Sequence, residues 1–230
     1  NRLFVLDTRH QSSLNRPLTE SPFDIEALHQ ARLALLQSLP GTQMKPKGVL
    51  SVDDTLLNHY GQHFDQIAYL YDSAQKRYVW AHNLVNLHYS DDLTDYPVDC
   101  RLWQPADLDA IETGLLASGI CIRPSKYDLK ASEPQKWRQY LLGLWRRHQH
   151  KPEVGKLYQS KLILAQQLIR EFVAVHPHAK LPVTFDNWYT QPAFCRFLSK
   201  TLNMPYVGIG RPNRPLSLDH FLDSIYFLQI

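Results

Sequence analysis

The most constraining feature of the chain is a short apolar run that ends in two adjacent carboxylates. Residues 48–52 read GVLSV and are followed by Asp53, Asp54 and Thr55. The apolar, β-branched run predicts a buried strand over 48–52. An ionised carboxyl group in a low-dielectric interior must be paired or bound to a cation, so two acids at the end of such a strand indicate a metal site. Asp is also a common turn residue, and a turn-capping role for both acids stays open on this pattern alone.

A second strand pattern that ends in an acid follows much later. Residues 181–185 read LPVTF, and Asp186 comes directly after them. Two strands of a parallel or mixed sheet that each end in an Asp can bring both carboxylates to one edge, where oxygen ligands hold hard cations. Paired Mg²⁺ ions about 4 Å apart activate water and stabilise the leaving oxygen in many nucleases and polymerases. The sequence therefore favours a shared metal site at Asp53 and Asp186.

Composition places the chain among globular proteins without requiring a particular partner. It has 230 residues, of which 44% are hydrophobic and 20% charged, and a net charge of +3, which permits a polyanionic partner but does not demand one. Cys100, Cys121 and Cys195 lack C-x-x-C spacing, so neither a zinc knuckle nor a disulfide framework is indicated and a reducing cytoplasm is favoured. No membrane span or signal peptide is expected. Both chain ends are interpreted as cut from something longer.

The predicted elements follow one another in the order of an RNase H-like fold. Strands are predicted over 48–52, 65–71, 76–89, 98–103, 181–185 and 206–209, and helices over 21–39, capped by Ser21, and over 107–118, 160–176 and 192–202. The strands over 48–52, 65–71 and 76–89 are predicted to form an antiparallel meander, and the helix over 160–176 a crossover to a parallel strand. We expect an α/β fold with a mixed sheet flanked by helices, in which a helical lead-in over 1–46 precedes an RNase H-like core over 47–230.

Three other segments invite a functional interpretation. Residues 120–158 interleave Lys and Arg with Trp137, Tyr140 and Trp145, which predicts either a nucleic-acid face or a solvated helix with an aromatic core stripe. Residues 90–95 predict a solvated acidic loop tip. Finally, four histidines near the acidic strands show no H-E-x-x-H motif, so we interpret them as structural or surface residues rather than zinc ligands. They are His59, His63, His82 and His88.

Several segments, taken in order, resemble one known family. They are V-D-D-T at 52–55, H-Y-G at 59–61, R-Y-V-W-A-H-N-L-V-N-L-H-Y at 77–89, D-Y-P-V-D-C-R-L at 95–102, S-K-L-I-L-A at 160–165 and F-D-N-W-Y at 185–189. With these motifs the chain resembles insertion-sequence transposases of the DDE type, which are DDE-superfamily endonucleases with a retroviral-integrase-like catalytic core.

The resemblance implies cut-and-paste DNA transposition. Asp53 matches the family's first catalytic acid, in a D-x-T turn, and Asp186 matches the second, while Asp54 is expected to be an outer-sphere or structural neighbour. The two acids would bind two Mg²⁺ or Mn²⁺ ions, activate water to cut a DNA strand, and then activate the 3′-hydroxyl to attack target DNA. The implied partner is double-stranded DNA, as transposon ends and target, bound by a homodimer in a bacterial-type, nucleoid-associated cytoplasmic setting.

The chain departs from the family's pattern at the third catalytic acid. It is a Glu on a late helix, in a Y-x-x-R-x-x-x-E pattern, and no Glu follows Asp186 here. We expect that helix to lie outside the chain, with Asp219 or Asp223 as the less favoured candidates. If the Glu is absent, the alternative is a catalytically inactive, domesticated transposase-derived DNA-binding protein. A third possibility is an RNase H-like nuclease that acts on RNA or branched DNA.

Overall fold

The strand that carries Asp53 and Asp54 is the central strand of a mixed sheet. The computed structural model describes residues 24–209. Within them the strands are β1 Val49–Asn58, β2 Ala68–Asp72, β3 Arg77–Ser90, β4 Asp95–Trp103, β5 Val183–Phe185 and β6 Tyr206–Gly208. β1 lies between the antiparallel β3 and the parallel β5, β6 continues the sheet beyond β5, and β4 pairs with β3. The predicted mixed α/β fold with RNase H-like strand order is confirmed.

The predicted meander has a different strand pairing. β1 pairs directly with β3 over its whole length, and the third strand of the antiparallel set is β4 rather than the segment over 65–71. β2 instead pairs with the first residues of β3. Ala81 is opposite both Asn58 and Ala68, so β1 and β2 lie on the two opposite edges of β3. The reason is the length of β3, which pairs with β4 over residues 83–90 and still offers residues 77–81 of the same edge to β2.

Among the described residues, one helix precedes the strands and the others lie between strands. They are α1 Ile25–Ser38, α2 Leu108–Ala117, α3 Asp128–Ser132, α4 Pro134–His148, α5 Pro152–Gly155, α6 Lys161–Val175 and α7 Pro192–Arg196, with a 3₁₀ turn at Pro124–Lys126 and a π-helical turn at Phe197–Thr201. Among the residues that the structure describes, no helix has the length and apolar character needed to cross a membrane.

α6 is the crossover helix that leads into the second acidic strand. The Ser160 hydroxyl accepts the backbone N–H of Ile163 at 3.3 Å and so caps its first turn. Its buried side chains recur at helical spacing and pack the helix against β3 and β4. These side chains are Leu164, Ala165, Leu168, Ile169 and Phe172. The cap and the apolar stripe together fix the start of α6 beside the sheet.

The segment between β4 and α6 forms a helical cluster with its own core. Trp137 and Trp145 of α4 are almost fully buried, and Tyr140 packs partly buried against the same core. The interpretation of these aromatics as a nucleic-acid face is therefore wrong, and the aromatic core stripe is the one observed. The other buried members of the cluster are Ile111, Leu115, Ile120, Ile122, Leu141, Leu144 and Val154.

The turn between β3 and β4 buries one of its acids. The side chain of Asp91 is 1% exposed, and it accepts a hydrogen bond from the Tyr89 hydroxyl at 2.6 Å. The Tyr89 hydroxyl in turn accepts the backbone N–H of Lys45 at 2.8 Å. For Asp91 the predicted solvated loop tip is therefore wrong, because Tyr89 and two backbone N–H groups bind its carboxylate. The neighbouring Asp92 is exposed, as predicted.

The chain divides into two compact units, residues 1–44 and residues 45–230. In the first unit, α1 begins at Ile25, and its N-cap is Asp24, whose carboxylate accepts the backbone N–H of Ala27 at 2.9 Å. The predicted cap, Ser21, lies outside the described residues, and the observed start of α1 makes that assignment wrong. The predicted domains over 1–46 and 47–230 stay a prediction.

Candidate active site

Asp53 and Asp186 come together across two parallel strands. β1 and β5 pair with Val52 opposite Phe185, so the next residue along each strand is one of the two predicted acids. β5 ends at Phe185, and Asp186 follows it. The predicted position of Asp53 at a strand end is wrong, because β1 continues along β3 as far as Asn58. The two side chains nevertheless lie near enough for the negative charge of Asp186 to raise the pKa of Asp53.

A tight turn orients the carboxylate of Asp186. Its Oδ1 accepts the backbone N–H of Trp188 at 2.9 Å and that of Tyr189 at 3.3 Å. The Thr190 hydroxyl donates to the Asp186 carbonyl oxygen at 3.0 Å. Asp commonly stabilises turns in this way, by accepting backbone N–H groups two and three residues ahead. The turn therefore holds one carboxylate oxygen of Asp186, whose side chain is exposed directly after β5.

The environment of Asp53 favours its protonated form. Loss of hydration is the main reason that the pKa of Asp53 is raised, and the negative charges of Asp54 and Asp186 act in the same direction. The backbone N–H of Asp54 and the ammonium of Lys161 oppose the rise. A nearby cation would stabilise the ionised form of such a carboxylate, since its positive charge would offset both the lost hydration and the repulsion from the neighbouring carboxylates.

Asp54 points to the other side of the sheet. Successive side chains of a strand alternate between its two faces, and Asp54 shares its face with the buried Val52. Its Oδ2 accepts the side-chain N–H of the buried Asn83 at 3.1 Å and the ammonium of Lys161 at 2.6 Å. Its Oδ1 accepts the Tyr189 hydroxyl at 3.4 Å. Asp54 is thus a structural anchor between β1, β3 and the first turn of α6.

Lys161 is a site residue that the sequence interpretation did not single out. Its ammonium lies 4.8 Å from the centre of the Trp103 ring and 5.5 Å from that of Trp188, in addition to its bond with Asp54. Two aromatic faces and a carboxylate are favourable surroundings for a cation that has lost most of its water. The signal was present, because Lys161 belongs to the S-K-L-I-L-A motif at 160–165.

Tyr189 stays protonated beside the three acids. Burial, followed by the charges of Asp54, Asp53 and Asp186, raises the pKa of Tyr189 far above its usual range. The side chain is fully buried, and its ring contacts those of Trp188 and Phe194. Tyr189 therefore acts as a hydrogen-bond donor to Asp54 and ties the turn after β5 to β1.

The donor set at this edge of the sheet fits a hard divalent cation in part. Asp53 and Asp186 supply carboxylate oxygens, which are the ligands that Mg²⁺ and Mn²⁺ prefer. Over residues 24–209, however, no three His, Cys, Asp or Glu side chains form a group that could hold a metal ion. The candidate third acids, Asp219 and Asp223, lie outside the described residues.

The histidines near the acidic strands form structural contacts. The rings of His59 and His82 are joined by a hydrogen bond of 2.9 Å between Nε2 and Nδ1, and His82 Nε2 lies 2.8 Å from the carbonyl oxygen of Asp65. His88 Nε2 lies 3.2 Å from Oδ2 of Asp95. These contacts agree with the structural or surface roles that the sequence predicts for them.

The comparisons with known proteins bear on the family. The model of the family described as DDE superfamily endonuclease matches residues 5–220. The chain belongs to this family. No curated protein matches the chain in the comparison with curated proteins. A solved structure, the cryo-EM structure of a piggyBac transposase synaptic complex with hairpin DNA, is similar with a TM-score of 0.40 and 15% identity, covering 90% of this chain and 31% of that chain. The chain thus spans less than a third of the length of that transposase.

Proposed function

We propose that this DDE superfamily endonuclease is a transposase of an insertion sequence that cuts DNA and transfers the cut strand with divalent ions bound at Asp53 and Asp186. The observation that supports the proposal is the β1–β5 register, with Val52 opposite Phe185, because each of these two residues is followed directly by one of the two acids. The family match over residues 5–220 supports the same chemistry. The proposed partners are transposon ends and target DNA, bound by a homodimer.

The proposed roles follow from the two sides of the central strand. Asp53 and Asp186 would hold Mg²⁺ or Mn²⁺, which supplies Lewis-acid activation of a water molecule and of a DNA 3′-hydroxyl when bound. Asp186 is oriented by its turn, and the raised pKa of Asp53 makes its carboxylate responsive to a bound cation. Asp54, Lys161 and Tyr189 hold β1, α6 and the turn after β5 in one arrangement. A third acid, from beyond Ile230 or from Asp219 or Asp223, stays part of the proposal.

Two substitutions test the proposal in the full-length protein. Asp53→Asn and Asp186→Asn keep the size of each side chain but remove its negative charge. We expect each to reduce Mg²⁺-dependent cleavage of terminal DNA by at least about a thousandfold, because a lost ligand removes the cation that stabilises the transition state. Mn²⁺ binding, measured by electron paramagnetic resonance, should weaken in the same two variants.

The matched control is Asp92→Asn, which removes the charge of an exposed Asp in the β3–β4 turn. Its cleavage rate and Mn²⁺ affinity should equal those of the unsubstituted protein. Normal cleavage by either Asp53→Asn or Asp186→Asn, in a folded protein, would contradict the proposed site.

One observation favours a second candidate function, a catalytically inactive DNA-binding protein derived from a transposase. It is that no cation-binding group of three side chains is found over residues 24–209. Such a protein would bind DNA in EDTA and in Mg²⁺ equally well and would leave it uncut. Mg²⁺-dependent cleavage by the unsubstituted protein excludes this function.

A further inference from the structure

Four aromatic side chains cover one face of the β2–β3 hairpin. We call Tyr69, Tyr71, Tyr78 and Trp80 the aromatic platform. Tyr69 is paired with Trp80 and Tyr71 with Tyr78, so all four rings lie on the same side of the two strands. Ring centres are 5.2 Å apart for Tyr69 and Trp80, and 5.3 Å apart for Tyr69 and Tyr78 and for Tyr71 and Tyr78. The platform is thus one continuous surface of rings.

The platform is open rather than packed. Tyr69, Tyr71 and Tyr78 are 57%, 53% and 57% exposed. A hairpin face that meets water is usually polar, and β-branched pairs such as Thr would stabilise the strands as well. Three half-exposed tyrosines in a row therefore form a surface suited to a flat, partly apolar ligand.

The hairpin that carries the platform is rigid at its tip. The buried carboxylate of Asp72 accepts the backbone N–H groups of Ala74 at 2.9 Å and Gln75 at 3.1 Å. It also accepts the side-chain N–H of Asn58, the last residue of β1, at 3.3 Å. A platform held in place in this way loses little conformational freedom when it binds a ligand.

The platform lies on the same side of the sheet as Asp53. Asp53 is opposite Asn86 of β3, and Trp80 lies six residues earlier on that strand, on the same face by the two-residue period. The distance between them along β3 is about 20 Å. The side chains between them on this face are Thr55, Leu57, His82 and Leu84, none of which is acidic. At the hairpin tip, the exposed Lys76 adds a positive charge in the turn that joins the two strands.

We propose that the aromatic platform binds single-stranded DNA by stacking its unpaired bases on the tyrosine rings. Bases stack on aromatic side chains without regard to sequence, and a lysine near the strand path, such as Lys76, attracts the phosphate backbone. Duplex DNA does not fit, because its base faces are already covered by neighbouring bases. The proposal rests on the proposed function, since it places unpaired bases about 20 Å from the DNA strand that would be cut at Asp53 and Asp186.

The test measures binding without cleavage. The full-length protein is titrated into a fluorescein-labelled dT12 oligonucleotide in EDTA and low salt, and fluorescence anisotropy gives the Kd. Tyr69→Ala and Tyr78→Ala should each weaken binding about tenfold, because each removes one stacked base. Tyr69→Phe and Tyr78→Phe should stay within about twofold, because the ring remains. The matched control, Tyr60→Ala, removes a fully exposed Tyr outside the platform and should leave the Kd unchanged.

Several results would overturn the platform proposal. One is a Kd for dT12 that is the same in the Ala variants and in the unsubstituted protein. A second is a Phe variant that loses as much affinity for dT12 as the Ala variant at the same position. A third is an Ala variant that loses as much affinity for a blunt duplex of the same length as it loses for dT12. A dimer that dissociates in Tyr78→Ala without DNA, in sedimentation, would assign the platform to an interface between copies instead. If the unsubstituted protein cleaves DNA with Mg²⁺ and the Ala variants bind dT12 as tightly as it does, only the platform proposal is contradicted. If the Ala variants bind dT12 more weakly but the unsubstituted protein does not cleave DNA with Mg²⁺, only the proposed function is contradicted.

Discussion

The ammonium of Lys161 lies 2.6 Å from Oδ2 of Asp54, and this ion pair joins the first turn of α6 to the middle of β1. The side chains are 14% and 23% exposed, so water screens the pair only weakly. The hydroxyl of Tyr189, in the turn that follows Asp186, donates to the same carboxylate at 3.4 Å, so Asp54 connects α6, β1 and this turn. The position of the proposed active site thus depends on a contact made on the opposite face of the sheet.

Removal of the cation of this pair should destabilise the fold. We expect Lys161→Met to lower the free energy of unfolding by about 2–3 kcal/mol, since it leaves the carboxylate of Asp54 partly buried without its cation. Urea unfolding followed by circular dichroism measures the change. The control is Lys136→Met, which breaks an exposed pair between α4 and Glu133, the residue before that helix, and should cost less than about 0.5 kcal/mol. Equal losses in the two variants would contradict a structural role for Lys161.

The same substitution should change the pH dependence of DNA cleavage. The charge of Lys161 lowers the pKa of Asp53, against the larger effect of burial. In Lys161→Met the pKa of Asp53 should rise further, so the acid limb of the pH–rate profile should move to higher pH. Lys161→Arg keeps the charge and should leave the limb in place. A limb that moves to lower pH in Lys161→Met, or does not move, would contradict this account.

Tyr89 and Asp91 should make stability depend on pH at both extremes. The hydrogen bond from Tyr89 is the main cause that holds the pKa of Asp91 at about 2, below its usual 3.8, so this stability is present above pH 4 and is lost as the pH falls towards 2. Burial, and then the bond to Asp91, raises the pKa of Tyr89 from 10 to about 12, so its contribution is present below pH 10 and is lost as the pH rises towards 12.

Tyr89→Phe tests both limbs of this dependence in one protein. It should lower the free energy of unfolding at pH 7 by about 1–3 kcal/mol, because the buried carboxylate of Asp91 loses a donor. In this variant the free energy of unfolding should fall less steeply as the pH decreases from 4 to 2. It should also fall less as the pH rises from 10 to 12. Urea unfolding at a series of pH values measures both. An unchanged slope in Tyr89→Phe would show that other groups cause the dependence.

Gly48 should tolerate no side chain because of the same tyrosine. A Cβ atom at Gly48 would lie 2.3 Å from Cε2 of Tyr89, whose hydroxyl is held by hydrogen bonds to Asp91 and Lys45. We expect Gly48→Ala to cost about 1–3 kcal/mol, since the ring cannot move away without losing these bonds. Gly41→Ala, with nothing within 4 Å of the added Cβ, is the control and should be close to neutral. Thermal unfolding of both variants measures the difference.

The sequence predicts the bounds of a strand or helix best where the residues of that element alone determine its structure. β3 and α6 are found at nearly their observed bounds, because the aromatic and β-branched run of β3 and the helical apolar spacing of α6 are long. β1 is predicted too short, since residues 53–58 become a strand through pairing with a long partner rather than through their own composition. The same dependence on a distant partner explains the wrong pairing within the predicted meander, because β1 pairs with β3 along one edge while β2 pairs with β3 along the other.

The candidate site was predictable in part. The period of two along a strand is enough to separate Asp53 from Asp54 and to assign them to different faces. The contact between Lys161 and Asp54 was not predictable, because it joins residues 107 positions apart and depends on how α6 packs on the sheet. The open face of the aromatic platform also requires the structure, since a Tyr-rich strand looks the same in sequence whether its rings are packed or exposed.

The ten residue pairs between β1 and β3 carry a consequence for how this protein tolerates change. A shift of β1 by a single position would turn the anchoring acid outward and bury the proposed catalytic one beneath α6, so both would lose their partners at once. Insertions and deletions within this strand should therefore be far more harmful than substitutions at most of its positions.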